Sequence, residues 1–331
     1  MTVRDVAARA GVGLSTVSNV LNRPDAVAPH TLARVQQAIE DLGYVRNDAA
    51  RSLRLGASRA VGVVVSEASS PFFAEVTQAA SLTLGAAGYS TLLGNAVQDA
   101  TIERQLLELF EAQRVRGLMI SPLGADPPGL ASIVSRGVPV IFLDLPADEE
   151  RFCSVAVDDE RGATLALQHL LSIGRRKIAL VRGPAEMPQI GSRAKGARTY
   201  AAQNAMGFEE IVTSGYFVQA GLEAAAVIAG RRPDSRPDAI FAVNDLLAMG
   251  VVSGLLDHGI AVPAEIAVVG YDDVSVAAVA RVPLTTLRQP ARDIGNRAAS
   301  LLIAEMEVTG SHRHESTRFL PELVVRASTV R

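Results

Sequence analysis

The sequence predicts an α plus α/β chain: a three-helix unit at the N-terminus, then two doubly wound α/β halves. Three observations carry this. Residues 2–22 read as two short amphipathic helices joined by a tight turn, with a third helical pattern close behind. From Ala60 onward, short apolar runs alternate with longer stretches of helical periodicity, the pattern of buried parallel strands and crossover helices. And 331 residues, 48% of them hydrophobic and 20% charged, suffice for two or three cores.

Thr2 suits the cap of the first helix, with Asp5 three residues on to complete a capping box. Val6 and Ala10 share one face, and Gly11 supplies the left-handed residue that ends the helix, with Val12 tucked beneath the turn. In the second helix Val17 and Leu21 face inward, which leaves Leu14, Ser15, Ser18 and Asn19 outside. Short polar side chains on an exposed second helix suit major-groove reading, and an ordinary helical bundle is the alternative. Pro29 opens a third helix to Leu42 with Leu32, Val35, Ile39 and Leu42 as its stripe, and Gly43 closes it.

The segments Asp5-Val6-Ala7, Ala10-Gly11-Val12, Ser15-Thr16-Val17-Ser18 and Val20-Leu21-Asn22 resemble the N-terminal signature of the LacI/GalR (lactose-repressor) family of bacterial transcription regulators. The resemblance implies a helix-turn-helix headpiece over 1–45, a hinge helix and linker over 46–59, and an effector-binding and dimerisation domain of periplasmic-binding-protein type over 60–331. It implies that Leu14, Ser15 and Asn19 read operator bases and Thr16 contacts phosphate, with Thr2, Ser18 and Asn22 also at the DNA. Two departures stand out. Gly13 replaces the family's usual capping Ser, and Asn19 stands where many members carry Arg, a change that favours adenine over guanine. The run Arg46 to Arg54 is close to the family's hinge, with Asn47 as cap, Arg51 and Arg54 on phosphates and Leu53 wedged into the minor groove. So short a helix is marginal alone, so it is expected to form only on DNA, paired with its dimer mate. The ending, Pro321 to Thr329, matches the family too, and the absence of a leucine heptad tail after it implies a homodimer.

Strands are expected at 61–65, 91–93, 117–120, 138–143 and 154–157, with helices at 72–87, 101–113 and 128–136 between them. The second half reads as helix 159–173, strand 177–181, helix 192–206, strand 211–214, helix 219–229 and strand 239–243. Helix 245–258, strands 266–270 and 284–288, and helix 291–307 follow. By the family likeness the chain crosses between the halves near 157, 289 and 316, which gives an N-subdomain of 60–157 with 290–315 and a C-subdomain of 158–289 with 316–331.

Ligands of open α/β sheets bind beyond the carboxyl ends of the strands. The residues there are polar: Ser66, Glu67, Asn95, Ser121 and Asp144 in the first half, then Asp158, Arg182, Asn244, Asp245 and Asp272. Such carboxylates and amides, with Phe72 and Phe73 nearby, suit a polyhydroxylated or heterocyclic solute. The resemblance implies effector contacts from Phe72, Phe73, Asp158, Gln189 and Arg193, and from Phe217, Asn244, Asp272 and Gln289. Arg193 and Asp272 are the proposed clasp for vicinal hydroxyls. Asp158 and Asp245 are equally suited to capping the helices behind them, the first reading for Asp245, and Phe217 to simple core. Met187 stands where purine-binding members have Arg, which leans the effector toward a sugar or sugar derivative over a nucleoside.

Charge is uneven: residues 1–59 hold eight Arg against five acidic residues, a balance of +3, and the rest carries −6. No apolar run approaches a membrane span and no signal peptide opens the chain, so a cytoplasmic protein is expected. The single cysteine, Cys153, excludes a disulfide or a cysteine zinc site and reads as an inert buried thiol. His312 and His314 read as an exposed loop in preference to a metal pair, and no cofactor is implied. The chain lacks G-x-S-x-G, G-x-x-x-x-G-K and H-E-x-x-H, which argues against an enzyme. An intracellular sugar-binding or sugar-modifying protein is the rival class, and it leaves the first 59 residues without a role.

Overall fold

The computed structural model describes residues 1–44, 58–124, 126–147, 150–184, 187–308 and 312–330. They fall into two compact units, Met1–Ser58 and Arg59–Arg331.

The first unit holds α1 (Val3–Ala10), α2 (Leu14–Asn22) and α3 (Pro29–Leu42). The expected capping box is formed: Thr2 accepts from the Asp5 amide, and the Thr2 amide donates to Asp5 Oδ2 at 2.7 Å. Gly11 and Gly43 end their helices at φ 61° and 56°, where a side chain would be strained. Val6, Ala10, Val17, Val20, Val35 and Ala38 form the core, with Leu21, Leu32 and Ile39 packed against it. Arg9 bridges α1 to Asp41 of α3 at 2.8 Å.

In the second unit β1 (Ala60–Val65), β2 (Ser90–Asn95), β3 (Gly117–Ile120), β4 (Val140–Leu143) and β5 (Cys153–Val157) alternate with α4 (Pro71–Ala86), α5 (Ala100–Ala112) and α6 (Leu130–Ser135). The second series runs α7 (Asp159–Ser172), β6 (Lys177–Arg182), α8 (Pro188–Gln203), β7 (Gly207–Val212), α9 (Val218–Ala229), β8 (Ala239–Ala242), α10 (Asp245–Asp257), β9 (Ala267–Asp272) and β10 (Thr285–Arg288). Then α11 (Ala291–Glu307) and β11 (Ser316–Phe319) return to the first half, and β12 (Glu322–Val324) ends in the second. The two six-stranded sheets have the orders β11-β5-β4-β3-β1-β2 and β12-β10-β9-β8-β6-β7, all parallel except β12 against β10. Val61, Val63, Val65, Met119, Ile141 and Val155 meet α4 and α11, while Phe241, Val268 and Val269 anchor the second core. Where α9 crosses α10, Gly221 and Gly250 lie backbone to backbone, and a Cβ on either would strike a carbonyl of the other helix.

The chain passes between the sheets through Asp158, through Gln289-Pro290 and through Leu320-Pro321. The third passage corrects the expected subdomain boundary near 316. Ser316–Phe319 pairs with β5 in the first sheet, so the return comes only after Phe319. Of the element bounds that move, the largest shifts are at α8, which starts at Pro188, a first-turn proline, and at β7, which starts at Gly207. Among the described residues no helix is long and apolar enough to cross a membrane.

Candidate functional site

In α2, Leu14 is 49% exposed, and Ser15 and Asn19 are exposed on the same outer face, with Thr16 and Ser18 half-buried. Gly13 caps α2 without a side-chain bond, as its missing side chain dictates. Thr2 is committed to capping α1 through its hydroxyl and amide. The side chain of Asn22, and Asn47, Arg51, Leu53 and Arg54 of the expected hinge, lie outside the described residues.

The second unit carries a cleft between the carboxyl ends of its two sheets, the place where open α/β sheets bind small molecules. Eight of the nine expected effector residues line it: Phe72, Phe73, Gln189, Arg193, Phe217, Asn244, Asp272 and Gln289. Asp158 does not. Its carboxylate accepts from the Arg161 amide and caps α7, so the alternative reading of that residue holds. Asp245 is neither cap nor lining residue. Asn244 caps α10 through the Leu247 amide, and the buried Asp245 accepts from the Val274 amide at 2.9 Å and the Thr286 hydroxyl at 2.6 Å. Asn95 and Arg182 are occupied elsewhere, Asn95 with the Ala68 and Val97 amides and Arg182 with Glu210 at 2.7 Å. Phe217 is not core: it is 48% exposed at the start of α9.

At the centre Arg193, 3% exposed, is held on three sides. Its Nε donates to Asp159 Oδ1 at 2.7 Å, its Nη1 donates to the Val243 carbonyl at 2.7 Å, and its plane lies 3.7 Å over the Tyr271 ring. Gly162 leaves room for that ring, since a Cβ there would meet the Tyr271 hydroxyl. Asp272 Oδ1 stands 3.7 Å from Nη1 and accepts from Gln289 Nε2 at 2.7 Å. Burial disfavours the guanidinium charge, but Asp159, with Asp272 and Asp144 behind it, more than offsets this and raises the Arg193 pKa. For Asp272 burial prevails over the Arg193 charge and pushes its carboxyl up to about 6. Asp144 is raised as well, by burial and then by the charge of Asp159.

Asp144 and Asp272 adopt φ of 58° and 114°, a backbone that L-residues rarely take and that fixes both carboxylates at their strand ends. Two acceptors here, Asp144 Oδ1 and Gln289 Oε1, are buried with no hydrogen-bond partner among the described residues. Such groups are costly to leave unpaired. The cavity walls are aromatic: Phe72 and Phe73 pack edge to face at 5.1 Å, and Tyr216 and Phe217 stand on the second half.

Sequence reasoning missed Ser69, Ser70, Gln98, Tyr216 and Leu246 in the lining, and Asp159 and Tyr271 behind Arg193. The expectation of an exposed loop at His312 and His314 is also corrected: both imidazoles are mostly covered, at 15% and 18% exposure, and turn toward Cys153.

This architecture has counterparts among known proteins. Residues 2–47 match the family model described as bacterial regulatory proteins, lacI family, and residues 167–329 match a periplasmic binding protein-like domain. The chain is 31% identical over 335 residues to the HTH-type transcriptional repressor PurR of Aliivibrio fischeri (strain MJ11), with 99% of this chain and 98% of the relative covered. It superposes on the transcriptional regulator CelR–cellobiose complex at 30% identity with a TM-score of 0.74, over 99% of each chain. For the lac repressor dimer bound to operator and the anti-inducer ONPF, the identity is 26% and the TM-score 0.83, over 100% of this chain and 99% of that one.

Proposed function

Since the chain belongs to the lacI family of bacterial regulatory proteins, we propose that its cavity takes a sugar or sugar derivative and that this effector governs a DNA-binding repressor. The protein is a transcriptional regulator, not an enzyme, which binds operator DNA as a homodimer and responds to a small molecule. In the proposed division of labour, residues 1–45 read the operator through Leu14, Ser15 and Asn19, residues 46–59 form the hinge, and 60–331 bind effector and dimerise, in the cytoplasm.

The observation that carries the effector class is the pair of unpaired buried acceptors, Asp144 Oδ1 and Gln289 Oε1, beside the Asp272 carboxylate. Unpaired buried oxygens of a carboxyl and an amide, in a lining that also holds the Asp272 carboxylate and the Arg193 guanidinium, call for a ligand whose hydroxyls can both donate and accept. Aromatic walls fit the apolar faces of a pyranose, and a CelR relative is bound to cellobiose. Met187, 8% exposed at the cavity wall, presents a thioether where a charged purine contact would need a donor. Effector and operator bias one equilibrium, so each changes the other's affinity by the same factor.

The test is thermal unfolding against sugars, glycosides, sugar phosphates and nucleosides. A ligand at about 100 times its dissociation constant adds about 2.7 kcal/mol to native stability. A shift with a sugar that also alters operator affinity supports the reading, whereas a shift confined to nucleosides overturns the effector class.

A further inference from the structure

Away from the cleft, four metal-ligating side chains converge, of which sequence spacing suggests only the His312 and His314 pair. Cys153 opens β5, Glu305 lies in the last turn of α11, and His312 and His314 stand just before β11. The pairing of β11 with β5 explains the meeting: Ser316 lies opposite Ser154, so the residues before β11 fall beside Cys153 across 159 positions of sequence. Cys153 Sγ is 3.2 Å from His312 Nε2 and 3.8 Å from His314 Nδ1. Glu305 Oε2 is 3.9 Å from each of those nitrogens, and all four atoms lie within 4.8 Å of one another.

Departing from the sequence reading of Cys153 as an inert thiol that excludes a zinc site, we propose that Cys153, Glu305, His312 and His314 bind one divalent transition-metal ion, with Zn²⁺ the best fit. A tetrahedral zinc, with bonds of about 2.3 Å to sulfur and about 2.0–2.1 Å to nitrogen and oxygen, sets neighbouring ligand atoms about 3.3–3.6 Å apart. The separations from Cys153 Sγ to the two imidazole nitrogens, 3.2 and 3.8 Å, bracket that range. One thiolate, two imidazoles and a carboxylate form a borderline-soft set that suits Zn²⁺ over Mg²⁺ or Ca²⁺.

Two further features favour a cation. Glu305 Oε2 is buried with no hydrogen-bond partner among the described residues, although it faces two imidazoles. The Glu315 amide donates to Cys153 Sγ at 3.3 Å, the outer-shell bond that steadies a metal-bound thiolate. Four protein ligands leave no open position, so the ion is structural. It ties the end of α11 to the edge of the first sheet. Strands β5 and β1 run parallel, so the site lies at the end of the sheet where β1 begins, opposite the effector cavity.

The test uses the tag-free full chain, stripped with chelator and titrated with Zn²⁺ and Co²⁺. One equivalent per chain is expected, with a near-ultraviolet thiolate-to-cobalt band, the visible absorption of tetrahedral cobalt, and a metal-dependent rise in Tm. The double variant His312→Ala/His314→Ala, which removes partly exposed groups and leaves the buried Cys153 in place, should weaken binding at least about 100-fold. Its Tm should no longer respond to metal. Glu305→Gln should weaken binding while leaving the thiolate band in the residual complex. Substoichiometric cobalt, a spectrum without the thiolate band, or equal affinity in the double-histidine variant would each overturn the site.

Discussion

Replacing Asp272 by Asn separates the two roles assigned to the cleft. In the unliganded protein the Asp272 carboxyl titrates at about 6 against an ordinary 3.8, because burial outweighs the attraction of Arg193. The folded state therefore holds this proton more tightly than the unfolded one. Stability from the site is fully present below 3.8, declines as pH rises toward 6, and stays at its lower value above. The span is equivalent to about 3 kcal/mol of folded-state cost at pH 7. Asp272→Asn removes the ion and keeps the shape, and Arg193 retains Asp159 at 2.7 Å and the Val243 carbonyl. Unliganded Tm at pH 7 should be equal to or above that of the parent. Effector binding, by contrast, loses a charged acceptor: a hydrogen bond to a charged group is worth about 1.5–3 kcal/mol, or about 10–150-fold in dissociation constant. Operator affinity without effector should not change, since Asp272 lies in the second unit and the expected operator contacts lie in the first. The assays are differential scanning fluorimetry, effector titration calorimetry and an operator fluorescence-anisotropy titration. A fall in operator affinity that matches the fall in effector affinity would refute this division, and a drop in unliganded Tm would refute the sign of the electrostatic argument.

Three further outcomes are expected. Effector binding that needs the ionised Asp272 should weaken roughly tenfold per pH unit below about 6, and Asp272→Asn should flatten that profile; calorimetry between pH 5 and 8 checks both. Asn19→Arg should move the preferred base at its contact from adenine toward guanine, with about 1–3 kcal/mol of discrimination, read by selection from a randomised operator. Gly250→Ala should destabilise the second unit by about 1–3 kcal/mol in urea unfolding, because its Cβ runs into the Val218 carbonyl of α9; unchanged stability would mean the two helices are not in backbone contact.

The elements that were legible in the sequence are those whose burial leaves a periodic mark. Gly117–Ile120 is apolar throughout because helices cover both faces of β3, and its bounds were read without error. The edge strands left no such mark. β11 (STRF) and β12 (ELV) are short and half-exposed, and they are held by pairing with β5 and β10, not by apolar runs. β7 began four residues before its apolar pair because Glu209 and Glu210 sit in the strand, neutralised by Arg231 and Arg182. In the cleft, the strand-end rule found Ser66, Glu67, Asp144, Asn244 and Asp272, since each ends a run that can be seen. Gln98 and Tyr216 come from loops that no periodicity marks. Asp159, one residue past the strand-end position chosen, reaches Arg193 only because Asp158 turns back to cap α7.

The three passages between the sheets contain one, two and two residues, Asp158, Gln289-Pro290 and Leu320-Pro321. Straps that short behave as the pins of a door. Sliding or twisting of one lobe over the other would have to stretch peptide, so the easy motion left is a swing about the line through the pins. An occupant of the cleft is then reported outward as a single number, the opening angle, whatever its chemistry. A bulky ligand that props the lobes apart and a slender one that lets them close give opposite messages through the same contacts. Lengthening one strap with inserted glycines would add a second axis, and the protein would keep its ligand while blurring what it says about it.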